Sequence, residues 1–350
     1  MTQPPSDTHP ATGPPATTPL RIGLLLPTRE QAINGSFAAA PLLELARRAE
    51  ELGFDSVWVG DSLIARPRLD PLTLLAAAAA VTTRLTLGTA ALTAALRHPL
   101  IGAHTVASLD HVARSRLVLG LGAGFPVPET EEEFDAVGTE FATRVGRLDE
   151  TVALWRTAWN STRAGTSQDF FGRYWKADGL HRLPPPHRAG GPPLWLAGSD
   201  TPAVLRRVAR YYDGWLPFLP SAEQYATAWR RIGDHMAESG RPDGSVTPAL
   251  YATLTPDADR AAARRELDHY LRRYYGRPLD AMASLQAYGW GSPADCAEWL
   301  AEYVSAGARH LVLRVGSLAM ERHIDAIAEV VLPALRALFP APLHRPEETL

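Results

Sequence analysis

Short, nearly continuous apolar runs alternate along the chain with longer segments whose apolar residues recur every three or four positions. The runs are RIGLLL (21–26), SVWVGD (56–61), LTLGTAAL (85–92), RLVLGLGAG (116–124), LWLAGS (194–199), DGWLPF (213–218), VTPALYATLT (246–255) and HLVLRVGS (310–317). Each predicts a strand covered on both faces, because alternation of polar and apolar residues is missing. The intervening segments predict helices. Over 41–52, Leu42, Leu45, Ala46, Ala49 and Leu52 keep helical spacing and Gly53 supplies the stop. A second helix opens at Asp70-Pro71, an N-cap followed by proline at the first helical position. Others are predicted over 100–111, 139–159, 202–211 and 221–238, up to Tyr274, over 292–306 and over 320–338.

Eight strand-plus-helix repeats imply an α/β chain closed into a (β/α)8 TIM barrel with insertions; an open doubly wound sheet is the other arrangement this pattern admits. The Pro/Gly-rich break LPPPHRAGGPP (183–193) is an insertion and no linker, since the alternation resumes directly after it. The barrel therefore spans 21–338 as one domain. The first twenty residues are Pro/Thr-rich without a basic start or an apolar stretch, which predicts a disordered tail in place of a signal peptide. Residues 339–350 are expected to be a second tail.

Composition narrows the function by exclusion. The chain is 46% apolar with a net charge of −3, so no basic field advertises nucleic acid or anionic lipid. Its longest apolar run, Leu74 to Val81, is too short to cross a bilayer, and a cytoplasmic protein without membrane contact is expected. The single cysteine, Cys296, leaves neither an internal disulfide nor a CxxC metal site and is expected to be a small buried hydrophobe. No metal is predicted, because a hydrolase of this fold needs His or Asp clusters at strand exits and only Asp61 and the post-strand His98 stand there.

In this fold chemistry sits at the C-terminal ends of the strands, and the opposite end is structural. That polarity selects Asp61, Ser62, Thr89 to Thr93, Ala123 to Phe125, Gly198 to Thr201, Trp215 to Phe218 and Arg314. It sends the Asp110-His111 pair to the base. GLGAG (120–124) imitates a dinucleotide fingerprint but carries Phe125 where the last glycine belongs; what it offers is a strand exit stripped of side chains. The turn AGSDTP (197–202) joins a strand to a helix that opens on Pro202, which gives Gly198, Ser199, Asp200 and Thr201 the makings of a phosphate seat. From Gly88 to Leu96 the third strand exit holds one Gly, four Ala and two Thr, a flat surface on which a planar ring can lie. A ligand with a broad ring and a phosphate tail suits both.

Five segments together, in this order, resemble the luciferase-like superfamily of flavin- and deazaflavin-dependent oxidoreductases, which includes bacterial luciferase and coenzyme F420-dependent enzymes. They are ELGFDSVWVGDS (51–62), LTLGTAALTAALRHP (85–99), ASLDHVARSRLVLGLGAGF (107–125), PLWLAGSDTPAVLRRVARYYDGW (193–215) and GARHLVLRVGS (307–317). The resemblance implies the same barrel, a homodimer, and FMN or coenzyme F420 as cofactor. It implies a non-prolyl cis peptide at Ala90–Ala91 behind the ring, an acid near the cofactor at Asp61, and cofactor contacts from Thr93, Ala123, Gly124 and the 198–201 turn. Ser62 stands where many relatives carry a histidine, so the catalytic candidates are Asp61, Ser62 and, as a substitute imidazole, His98. Phe125 stands where sugar-phosphate dehydrogenases of the family carry a glutamate, which argues against their reaction. Phe125, Trp215 and Phe218, with Arg314, are expected to line an apolar substrate pocket, with plain core packing as the other reading.

The implied activity is hydride transfer from reduced coenzyme F420 to a C=C, C=N or C=O bond of a small organic substrate. The alternative is a two-component monooxygenase fed with FMNH2 by a separate flavin reductase; a barrel that binds a ligand without catalysis is more remote. Residues 161–193 and 275–291, the latter with Tyr275, Tyr288 and Trp290, are the expected sources of lids or dimer contacts.

Overall fold

The computed structural model describes residues 18–164 and 168–340. Its strands are β1 (Arg21–Leu25), β2 (Ser56–Val59), β3 (Thr86–Leu92), β4 (Leu117–Leu121), β5 (Phe170–Phe171), β6 (Lys176–Ala177), β7 (Leu194–Leu196), β8 (Gly214–Trp215), β9 (Thr247–Pro256), β10 (Ala287–Gly291) and β11 (His310–Val315). Apart from the β5–β6 ribbon they form one parallel sheet in the order β10-β9-β11-β1-β2-β3-β4-β7-β8, and β8 pairs back onto β9. That last pairing closes the barrel and rules out the open sheet. Helices follow the strands and cover the outside, each burying one apolar face, as Leu42, Ala46 and Ala49 do on Ala40–Glu51.

The barrel interior is filled near its base by Trp58 and Trp195, whose rings lie 5.3 Å apart, with Val118, Val312 and Ala249. Glycine is required where these indoles cross a neighbouring strand. A Cβ on Gly88 would come within 2.2 Å of Trp58, and one on Gly214 within 2.4 Å of Trp195. His310 completes the layer, with Nε2 2.8 Å from Ser56 Oγ, which in turn accepts from Trp58 Nε1. Burial, reinforced by Arg21, lowers the His310 pKa to about 3. In the unfolded chain it titrates near 6.5, so between those values only the unfolded state takes the proton. Stability is therefore full above about pH 6.5 and declines as the pH falls toward 3. Urea midpoints should drop from pH 7 to pH 4.5, and the slope should lessen in His310→Gln; an identical slope in the variant would assign the decline to other groups.

The base also anchors the insertion. Asp110 is buried and accepts from the backbone N–H of Arg188 at 2.6 Å, while His111 Nε2 lies 2.8 Å from the carbonyl oxygen of Pro185. The pair is structural, as its place in the chain predicts. Cys296 is buried, its thiol pushed up to about 12 by burial, in keeping with a packing role.

Several boundaries differ from the sequence reading. The segment between the fourth strand and the helix predicted from 139, where no element was predicted, contains a helix, Pro128–Ala136, whose only large buried apolar residue is Phe134, too few to show a period. The helix expected from 139 begins at Arg144, after a 3-10 turn over Phe141–Thr143. The last helix is broken by a π segment at Ile327–Val331. Leu20, assigned to the first tail, is buried in the core, and Phe339 packs against the core from the other end. The remainder of the two tails, 1–17 and 341–350, lies outside the described residues. Residues 287–291, expected to supply a lid or dimer contact, are β10 of the main sheet; their two glycines, between the polar flanks Gln286 and Ser292, mask the strand pattern. Among the described residues no helix is long and apolar enough to cross a membrane.

Candidate active site

The strand exits enclose a cavity of about 840 Å³. Its floor is the end of β3. Between Thr89 and Leu92 the pairing with β4 shifts register, and the Ala90–Ala91 peptide bond is cis. Ala90 and Ala91 face the cavity together with Gly122 and Ala123, so the floor is flat and nearly free of side chains. Thr93 and Gly124 line it as well. The cis bond and the bare strand exit are as the sequence led one to expect.

Asp61 also lines the cavity, but its carboxylate is spoken for. Its side chain is 1% exposed and takes both Nη atoms of Arg97, at 2.6 and 3.0 Å, plus the backbone N–H of Thr93 at 3.0 Å. Arg97 reaches on to Asp70 at 2.9 Å. Bidentate pairing of this buried carboxylate with the partly exposed Arg97 makes Asp61 a clamp between the β2 and β3 exits. Ser62 is similarly committed. Its hydroxyl donates to Glu133 Oε1 at 2.8 Å and accepts from the N–H of Arg66. The same Glu133 oxygen takes the N–H groups of Leu63 and Ile64, so this buried carboxylate orders the loop after β2. Glu133→Ala should cost ~1–3 kcal/mol of stability by leaving that set unpaired, read as a shift of the urea midpoint; no shift would mean that solvent replaces those bonds.

Four expectations are corrected, at His98, Trp215, Arg314 and Thr201. His98 lies outside the cavity: it is exposed, its Nδ1 caps the helix Pro99–Ala113 by accepting from Leu100, and its ring packs edge-on against Trp175. Trp215 is fully buried below the Gly198 turn, donating Nε1–H to the Gly198 carbonyl at 3.2 Å and stacking on Tyr225. Arg314 is likewise buried one layer behind the wall, bonded to Thr253 and Tyr275. Of the aromatic candidates, Phe125 and Phe218 do line the cavity, 5.4 Å apart. In the turn after β7, Gly198, Ser199 and Asp200 line it, while Thr201 is exposed outside the lining and starts the helix Pro202–Tyr211 without a side-chain cap.

Beside that turn stand two residues the sequence did not single out. Arg144 has its Nε buried with no partner; Nη1 donates to the Phe141 carbonyl, and the guanidinium sits 3.9 Å from the Phe141 ring. Arg207 is tied to Asp149 at 2.9 Å. Arginine at the start of a helix ordinarily faces solvent, so nothing in the chain announces that Arg144 turns inward. Arg97 was findable: a buried aspartate at a strand exit demands a cation, and Arg97 follows the β3 bulge.

A closed barrel whose strand exits enclose a cavity with a bare floor and an arginine with an unpartnered N–H at one corner has the layout of a cofactor-dependent enzyme. The family model described as luciferase-like monooxygenase matches residues 20–310, and the chain belongs to that family. It is 27% identical over 328 residues to an F420-dependent glucose-6-phosphate dehydrogenase of Nocardia farcinica, covering 86% of this chain and 96% of that one. It is 30% identical over 248 residues to a phthiodiolone/phenolphthiodiolone dimycocerosates ketoreductase of Mycobacterium tuberculosis, covering 63% of this chain and 62% of the ketoreductase. A solved F420-dependent secondary alcohol dehydrogenase, in complex with an F420-acetone adduct, superimposes with a TM-score of 0.76 at 20% identity, over 91% of this chain and 99% of that one. The monooxygenase RslO1 from Streptomyces bottropensis does so at 0.73 and 23%, over 90% and 99%. The two structures share the fold. The sequence relatives are dehydrogenases and a ketoreductase, and this chain is an oxidoreductase.

Proposed function

We propose that the protein binds coenzyme F420 and reduces a C=C, C=N or C=O bond of a small organic substrate. The observation that carries this reading is the pairing of a flat floor at Ala90–Ala91 with a corner built to receive an anion. In that corner Arg144 offers a buried Nε without a partner, and the N–H groups of Ser199 and Asp200 donate to nothing among the described residues. A planar ring with a phosphate-bearing tail fits both. Arg144, Ser199 and Asp200 would hold the phosphate, and Ala90, Ala91, Ala123 and Gly124 would lie under the ring. When bound, the reduced deazaflavin supplies a hydride. Asp61 and Ser62 then act by fixing the β2 and β3 exits, since Arg97 and Glu133 occupy the groups they would need to move a proton.

A second reading rests on the family's description and on the RslO1 neighbour. It has FMNH2 from a separate reductase reacting with oxygen over the same floor. Titrating the purified protein with coenzyme F420 and with FMN, each oxidised and reduced, and following cofactor fluorescence, separates the two. F420 should bind at least tenfold more tightly than FMN. Binding of FMNH2 alone would replace the first reading by the second.

A further inference from the structure

The cofactor reading leaves the opposite wall of the cavity unused. Arg66, Arg68 and Arg277 line that wall, and none of them forms an ion pair among the described residues. Arg68 lies across the β2 exit. Its Nε donates to the Arg66 carbonyl at 3.1 Å and its Nη2 approaches Tyr274 Oη at 3.4 Å. Its Nη1 passes so close to Gly60 that a Cβ there would lie 2.5 Å away, and that same point is 3.6 Å from the Ala90 carbonyl oxygen. The guanidinium thus stands beside the bulge that forms the floor, and Nη1 donates to nothing among the described residues.

Arg314 adds a second positive layer behind it. Fully buried, it is ringed by Tyr251, Tyr270, Tyr274 and Tyr275 at 4.8–5.5 Å, and its Nη2 is buried with no partner. The buried carboxylate of this cluster is Glu30, which accepts from Tyr270 Oη at 2.5 Å. Guanidinium groups outnumber carboxylates on this wall, and low-dielectric walls concentrate the resulting positive potential in the cavity. The planar fork of arginine matches a carboxylate better than it matches a point charge.

We propose that this wall is an anion subsite for the substrate, taking a small organic carboxylate with a planar, unsaturated body held by Arg68 with Arg66 and the Tyr274 hydroxyl. The assignment of the group to the substrate rests on the cofactor lying at the Arg144 corner, as proposed above. The test uses benzoate and its neutral counterpart benzamide as probes, measured by calorimetry on the purified protein with and without coenzyme F420. Benzoate should bind at least tenfold more tightly than benzamide, and more weakly in high salt. Arg68→Gln should lower benzoate affinity at least tenfold and leave F420 affinity within twofold. Arg66→Gln, expected to cost benzoate about threefold, serves should the first variant fail to fold. Equal binding of the two probes, or benzoate binding unchanged in both variants, overturns the subsite. So does mutual exclusion of benzoate and F420, which would give these arginines to the cofactor tail. Arginine-dependent benzoate binding by a protein that takes up no F420 would keep the subsite and sink the cofactor reading alone; F420 binding without benzoate binding does the reverse.

Discussion

Arg97→Met is expected to lower the free energy of unfolding by ~3–5 kcal/mol, the range for removing one partner of a buried ion pair. The Asp61 side chain is 1% exposed, and without Arg97 its charge keeps only the Thr93 N–H. The penalty comes from the abandoned charge and hardly from lost packing, since methionine fills much of the same space. Asp61→Asn in the same background should therefore recover most of the loss, and urea unfolding of the two single variants and the double variant gives the coupling. A loss under about 1 kcal/mol would mean that water reaches Asp61 once Arg97 is gone.

The second large effect falls on binding. Arg144→Ala should weaken F420 affinity by ~10–100-fold, the scale of one charge-assisted hydrogen bond to a phosphate, with stability nearly unchanged. Stability is spared because the Arg144 guanidinium makes one hydrogen bond within the protein, to the Phe141 carbonyl, besides its contact with the Phe141 ring. Arg207→Ala should cost less, as Arg207 already shares its charge with Asp149. Fluorescence titration of both variants checks the order. Equal affinities for Arg144→Ala and the unmodified protein would move the phosphate away from this corner.

What could be read from the chain was whatever is periodic or compositional. Continuous apolar runs announced eight of the nine strands of the main sheet, missing β10, and barrel polarity alone sent Asp110 and His111 to the base, where they pin the 183–193 insertion. The small residues after Gly88 announced the floor. Side-chain direction was illegible. Trp215 and Arg314 sit at strand exits in sequence, yet neither joins the cavity lining: Trp215 ends a two-residue strand too short to show alternation, and Arg314, on the same interior face of β11 as Val312, is covered by Tyr274 and Tyr275, which take its place in the lining. Partners distant in sequence were hidden as well. Glu133 lies 71 residues beyond the Ser62 hydroxyl it receives, within a helix that looks like a solvated acidic segment.

The ten-residue β9 gives its two ends different neighbours on the same side. Thr247 and Pro248 meet β8, whereas Ala252 to Pro256 meet β10, which is stitched to the other flank by the Ala287 N–H on the Phe218 carbonyl. The wall is thus eight strands around at its base and nine around at its rim: a funnel more than a cylinder. Residues just before β10, Met282 and Ser284 to Gln286, form part of the lining. A wedge of this kind separates two properties that a plain cylinder ties together. The girth of the foundation is fixed by the indole layer, while the width of the mouth is set by one inserted strand, so the bowl can be retailored for a different guest by editing the connection into β10 without disturbing the masonry beneath.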